Sequence, residues 1–376
     1  MRKFWYEAIW RTDWVLMGSI LALLAIGLLM IYGIGSSSNE PTFFQFQKQL
    51  VALVIGGAAL IGLTLMDYKQ LRSLGTVVYI LGFLLLVAVL IFGSTVRGTQ
   101  GWFKFGSISI QPVELAKVAF AISLASYFSK HVHLKLNWIS FFGSFLAMLG
   151  YVIPTLLQPD FGSAMIIVAM WFIAVAFAGL RSRTWILLLV AGLATAFLVW
   201  TYGLQPYQKD RLMAFMDPQI DPLGAGYNVI QAQTAIGSGG ILGKGVGQGS
   251  QSRLRFLPEA STDFMFAVIG EELGFVGVTL VLSLFGVLIV RTIWIGYKSR
   301  DMFAGTYCVM IAGMFGLHIL INAGMNMGMM PVTGIPMPFT SAAATSLVSG
   351  LVALGIVESV ALHSRNPVER LPGRDF

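Results

Sequence analysis

Long apolar runs alternate with short polar breaks along most of the chain, and few of these runs carry a charge. A helix needs about 20 apolar residues to cross a bilayer. At that length ten candidate spans emerge, at 14–34, 50–66, 75–93, 112–129, 138–157, 162–180, 184–202, 263–290, 302–328 and 341–362. The fourth is interrupted by Glu114 and Lys117, and removing it would invert everything downstream. The pattern changes only over 203–262, where "MDPQIDPLGAGYNVIQAQTAIGSGGILGKGVGQGS" mixes Asp-Pro and Gly-Gly turn chemistry with apolar pieces. That segment reads as a loop folded back on the membrane face, not as a tether. No internal repeat, heptad seam or low-complexity linker is visible. The predicted fold is an all-α polytopic membrane protein. It forms a single integral membrane domain over 1–376, with one long external loop between its seventh and eighth helices.

Composition supports this. Hydrophobic residues make up 56% of the 376 residues, charged residues only 11%, and mean hydropathy is +0.79. Soluble domains carry roughly twice that charge, and backbone polar groups in lipid have to be satisfied within helices. The net charge of +7 marks topology, not nucleic-acid binding, because the Lys and Arg residues fall into loops. With the N-terminus inside, every inside segment carries at least two of them. The short outside loops are almost bare, as the positive-inside rule requires. "GLRSRTW" and "RTIWIGYKSRD" are the clearest inside markers, and both termini are expected on the cytoplasmic side. The N-terminus "MRKFWYEAIWRTDW" lacks a small-residue cleavage site after the first apolar run, so a retained first helix is expected. The single Cys308 excludes an internal disulfide, and the four histidines show no metal-ligand spacing.

Acidic residues inside such a chain need either partners or a function. In "LRFLPEASTDFMFAVIGEELG", Ser261 or Thr262 reads as a helix N-cap with Asp263 in the first turn. The helix N-terminus favours the ionised carboxylate there, while a lipid boundary favours the neutral acid. Such a balance suits a general base at a membrane surface. A plain capping aspartate is the structural alternative. Glu271 and Glu272 lie about 12–14 Å further along the helix and about 80° and 180° round it from Asp263, so the three cannot share one pocket. Partnering inside the bundle is the simpler role for both glutamates, with Gly270 and Gly274 letting another helix approach. Glu114 and Lys117, at i,i+3, can pair on one helix face. Asp160 in "QPDFG" sits in a short outside turn and suits turn formation. The glycine run Gly237–Gly249 fails as a phosphate loop. Ser238 stands where the first glycine is needed, and Gly245 follows Lys244. Lys244, Arg253 and Arg255 remain able to attract a diphosphate or lipid headgroups.

Five segments, in order, carry a resemblance: "GTQGWFKFGSISIQPVELAK", "QPDFG", "DPLGAGYNVIQAQTAIGSGGILGKG", "FLPEASTDFMFAVIGEELG" and "NAGMNMGMMPVTGIPMPF". They are similar to the signature segments of the SEDS (shape, elongation, division and sporulation) family and span roughly 97–340. "VIQAQTAIGSGG" with "GKG" resembles the elongation (RodA-like) branch more than the division branch. The resemblance implies a peptidoglycan glycosyltransferase that polymerises lipid II at the outer face of a bacterial cytoplasmic membrane. It places the family's essential aspartate at Asp263, its loop tryptophan at Trp102, and the Glu and Lys of its "QPSE" helix at Glu114 and Lys117. Gly101, Val113, Ser261 and "FTSAAATS" depart from the family pattern.

The expected chemistry is inverting glycosyl transfer with Asp263 as base. Trp102, Glu114, Lys117, Asp160, Lys244 and Glu259 are the expected supporting residues. No cofactor is assigned. A divalent cation (Mg²⁺ or Mn²⁺) would assist departure of the diphosphate, as would Lys117 or an arginine. The resemblance implies a class B penicillin-binding protein as transpeptidase partner, within the elongation complex. The rival readings are a lipid II flippase, with the acids as relay groups, and another lipid-linked oligosaccharide polymerase or ligase.

Overall fold

The computed structural model describes residues 11–37, 43–96, 98–106, 108–131, 136–179, 192, 225–254 and 256–364. Apart from Gly192, the expected seventh span, 184–202, lies outside these residues, as do 203–224 and Arg255. The helices are α1 (Trp14–Ser37), α2 (Phe44–Leu65), α3 (Tyr68–Ser73), α4 (Gly75–Phe92), α5 (Pro112–His131), α6 (Trp138–Leu157) and α7 (Phe161–Phe177). They continue as α8 (Ala225–Ser238), α9 (Ser250–Arg253), α10 (Met265–Ser299), α11 (Met302–Asn326) and α12 (Ala344–His363). Among the described residues, seven helices are long and apolar enough to cross a membrane. The chain is a multi-pass membrane protein.

The weakest span by sequence, α5, lies at the centre of the bundle, packed by α4, α6, α7, α11 and α12. Its neighbours, not lipid, surround it. That is how it carries Glu114 and Lys117, 5% and 1% exposed, beside a fully buried Phe120. Glycines bring α2 and α12 together: a side-chain carbon built on Gly355 would lie 2.8 Å from the Leu60 Cα, and one on Gly56 2.7 Å from Leu351 Cδ1.

Between α4 and α5 the chain forms a small antiparallel sheet, β1 (Ser94–Val96), β2 (Thr99–Phe105) and β3 (Ile108–Ile110), in the order β1-β2-β3. Trp102 pairs with Ser94, and Phe103 with Ile110. Gln100 fastens the sheet to the helices below: its amide donates to Gln158 O (3.2 Å) and its Nε2 to Leu90 O (3.1 Å).

Helix α10 runs to Ser299, well past the expected end at 290, and it is broken at Gly274 (φ 67, ψ −164). The glycine-rich segment after α8 supplies the bonds the break removes. Lys244 N and Gly245 N donate to the Glu271 and Glu272 carbonyls at 3.0 Å each. Phe275 N and Val276 N donate to Gly240 O and Ile241 O at 2.9 and 3.1 Å. This approach requires glycine: a side-chain carbon on Gly239 would fall 1.9 Å from Gly270 O, and one on Gly243 2.2 Å from Glu272 O. The run that fails as a phosphate loop is therefore a splint for a discontinuous helix.

Candidate active site

The turn before α10 is set by Glu259, in the left-handed region at φ 57. Its carbonyl accepts from Thr262 N (3.0 Å) and Phe264 N (3.3 Å), and its carboxylate from Thr262 Oγ1 (3.1 Å). The expected cap is thereby corrected. The helix starts at Met265 after Phe264, with no side-chain cap, because the Thr262 hydroxyl bonds backwards to Glu259. Asp263 precedes the helix and does not lie in its first turn.

Two asparagines on α11 hold the Asp263 backbone. Its carbonyl accepts from Asn322 Nδ2 (3.0 Å) and Asn326 Nδ2 (3.1 Å), both side chains being fully buried. Asn322 Nδ2 also donates to Ile335 O (2.8 Å), and Asn326 Oδ1 accepts from Ala267 N (3.2 Å). Ala342 N donates to Ser261 O (2.7 Å). The Asp263 carboxylate, half-buried, borders the loop after α11: a carbon built on Gly334 (φ 73) would lie 3.7 Å from its Oδ2.

The same loop meets the Asp160 turn on its other flank. A carbon on Gly162 would touch Ile335 at 3.0 Å and Thr333 O at 3.4 Å. Asp160 caps α7, accepting from Ser163 N (3.0 Å) and Ser163 Oγ (2.8 Å), with Gln111 Nε2 at 3.3 Å. Part of its surface is open, yet protein encloses the carboxyl closely. Burial raises it above the ordinary carboxylate range, and the Ser163 bonds and the Lys117 charge partly offset that.

Below lies a buried polar array. Lys117 Nζ donates to Glu114 Oε1 (2.8 Å) and to His318 Nε2 (2.9 Å), so the expected pair has a third member. His318, Asn322 and Asn326 stand at i, i+4 and i+8 on α11, one face of a helix. One stripe thus links the buried lysine to the Asp263 turn. Trp102, half-buried on β2, is held at this end of the bundle by the Gln100–Gln158 bond.

Lys244 goes elsewhere. Its Nζ lies 2.9 Å from Glu271 Oε1, 2.7 Å from Ser238 Oγ and 2.9 Å from Ser250 Oγ. Glu271 also accepts from Ser250 Oγ (3.1 Å), Gln251 N (3.0 Å) and Ser252 N (3.3 Å). Glu272 accepts from Gly247 N (2.9 Å) and Ser252 Oγ (3.1 Å). The two glutamates anchor the splint, about 12 Å along the helix from Asp263.

Among the described residues, no three His, Cys, Asp or Glu side chains gather to hold a metal ion.

The family model for the FtsW, RodA and SpoVE proteins, described as cell cycle proteins, matches residues 14–366. The chain belongs to the SEDS family. Stage V sporulation protein E of Bacillus subtilis (strain 168) is 36% identical, over 94% of this chain and 98% of its own. Peptidoglycan glycosyltransferase MrdB of Escherichia coli (strain K12) is 32% identical, over 97% of this chain and 96% of its own. Among solved structures, a chain of a peptidoglycan synthase complex that coordinates polymerization and crosslinking superposes with a TM-score of 0.79. It is 31% identical and covers 93% of this chain and 97% of that one. The rod shape determining protein RodA of Thermus thermophilus gives 0.70 at 28% identity, with 93% and 96% covered. Within this SEDS chain, sequence reasoning missed His318, Asn322 and Asn326. Their helical spacing in "HILINAGMN" was the available signal.

Proposed function

We propose that this chain is a peptidoglycan glycosyltransferase of the elongation branch, polymerising lipid II at the outer face of a bacterial cytoplasmic membrane with both termini inside. The observation that carries the reading is the mounting of Asp263. Its backbone is fixed by two buried asparagine amides, and its carboxylate borders a glycine that contributes no side chain. The names of the relatives supply the chemistry: MrdB is a peptidoglycan glycosyltransferase.

In this reading Asp263 accepts the proton from the 4-hydroxyl of the acceptor's N-acetylglucosamine. That oxygen bonds to the anomeric carbon of the donor's N-acetylmuramic acid. The bond from that carbon to the diphosphate breaks on the opposite face, taking its electron pair to undecaprenyl diphosphate. Inversion gives a β-1,4 link. The Glu114–Lys117–His318 array and Asp160 set the charge beneath the Asp263 turn, while Trp102 and Glu259 contribute to substrate binding. A class B penicillin-binding protein is the proposed transpeptidase partner. The supporting fact is that one structural relative belongs to a synthase complex.

The test is purified chain with labelled lipid II and the partner transpeptidase, wild type beside Asp263→Asn. Polymer from wild type and none from the variant is expected. Full polymer from the variant would sink the base assignment. The flippase reading is favoured by one observation, the buried Lys117–His318 contact in the bundle centre. It would prevail if wild type gave no polymer yet moved lipid II across vesicles.

A further inference from the structure

At the end of the bundle remote from Asp263, a crevice of about 220 Å³ opens between α4, α5 and α6. Tyr79, Phe120 and Tyr127 wall it, with Gly75, Gly143 and Ala147 completing the lining. The walls are fixed: Tyr79 Oη donates to Ala147 O at 3.1 Å, and the His131 ring stacks on Tyr127 with centroids 4.5 Å apart. The flanking faces carry exposed Leu81, Phe142 and Leu146, so the crevice opens on the lipid-facing surface.

One end is polar and cationic. Lys130 and His131, both exposed, stand at that end, and among the described residues no acid lines the crevice. His131 Nδ1 bonds to Tyr127 O (2.9 Å), leaving Nε2 available to a ligand. Lys130 lies about 20 Å along α5 from Lys117, at a helical rise of about 1.5 Å per residue. The site is therefore separate from the Asp263 turn. An apolar slot in contact with lipid tails, with cations where a helix ends, matches a lipid with a negative headgroup. A zwitterionic lipid would bring its own ammonium towards Lys130 and His131.

We propose that this crevice binds one acyl chain of an anionic phospholipid, with the phosphate held by Lys130 and His131. The acyl chain gains little by leaving other lipid tails for the crevice, so selectivity rests on the headgroup. The proposal is independent of the reaction assigned to Asp263.

Native mass spectrometry of the full chain in detergent, with phosphatidylglycerol, phosphatidylcholine and undecaprenyl phosphate offered in competition, tests it. Wild type should retain phosphatidylglycerol preferentially. Lys130→Gln should weaken retention about fivefold, the value of one cation near an anionic lipid. Ala147→Leu fills the crevice from inside and should abolish retention. Thr76→Leu fills it from an exposed position at its mouth, where folding is not at risk, and should do the same. Equal retention of phosphatidylcholine, unchanged retention in Thr76→Leu, or a preference for undecaprenyl phosphate would each overturn the assignment.

Discussion

Asn322 Nδ2 serves two backbone carbonyls at once, those of Asp263 and Ile335, from a fully buried position. Asn322→Ala should leave the Ile335 carbonyl without this donor. A loss of about 1–3 kcal/mol in stability is expected, together with a larger fall in polymer formation than in lipid II binding, because the Asp263 turn loosens. Thermal unfolding read beside a polymerisation assay checks both. Asp160 gives a contrasting case. Asparagine caps helices about as well as aspartate, and it removes a carboxyl that burial has pushed up. Asp160→Asn should therefore be at least as stable as wild type at neutral pH. The sign follows from linkage. A raised carboxyl binds its proton more tightly in the fold than in the unfolded chain, so acid favours wild type and the gap closes as pH falls. Asp160→Ala loses the cap and should cost about 1 kcal/mol. A stability advantage of wild type over Asp160→Asn at neutral pH would contradict this account.

At the scale of elements, α10 depends on a segment outside itself. Lys244 and Glu271 fasten the glycine splint to the break, so Lys244→Met and Glu271→Gln should not be additive. The double variant should fall close to Glu271→Gln alone, whereas independent roles would sum. If Lys244 instead bound a substrate diphosphate, Lys244→Met would weaken substrate binding with no coupling to Glu271. Gly243→Ala, at φ 80 and within 2.2 Å of a backbone oxygen, should unfold the splint. The sequence made the two glutamates legible as a structural pair apart from Asp263, because helical rise and rotation alone separate them. It did not reveal the break. A positive-φ glycine inside an apolar run reads like any small packing residue. The sheet of Trp102 was likewise hidden, because strands of three to seven residues between helices leave too little alternation to read.

At the scale of the whole molecule, the helices pack so that charge stays at the ends or pairs in the centre. Asp13 holds Arg291 (Nε to Oδ1, 3.2 Å), and its amide donates to Glu358 (3.2 Å), tying the start of α1 to α10 and α12. Hydropathy alone located the seven helices that, among the described residues, are long and apolar enough to cross a membrane. It understated α5, whose surroundings are protein and not lipid, a distinction that composition cannot express. The order of crossings has a direct check. Lys69 and Lys104, both exposed, lie at opposite ends of α4. Lys69→Cys and Lys104→Cys should react with an impermeant thiol reagent from opposite sides of the membrane. The native Cys308 is fully buried and should stay silent. Reaction of both from the same side would remove α4 from the count of spans.

The discontinuity in α10 also bears on how the molecule is made. A charged side chain at the centre of an inserting helix costs roughly 2.5–3.5 kcal/mol on insertion scales, and α10 brings in two, Glu271 and Glu272. Their donors, from Lys244 to Ser252, all precede them in the chain. During synthesis the receptor for each carboxylate therefore leaves the ribosome before the carboxylate does. The helix need never cross the bilayer with its acids bare, provided that the splint waits at the membrane surface. Lys244→Met with Ser252→Ala removes one donor to each glutamate before α10 emerges, and insertion of α10 should then fail more often. Glycosylation mapping of the nascent chain reads this, and unchanged insertion would contradict the proposed order.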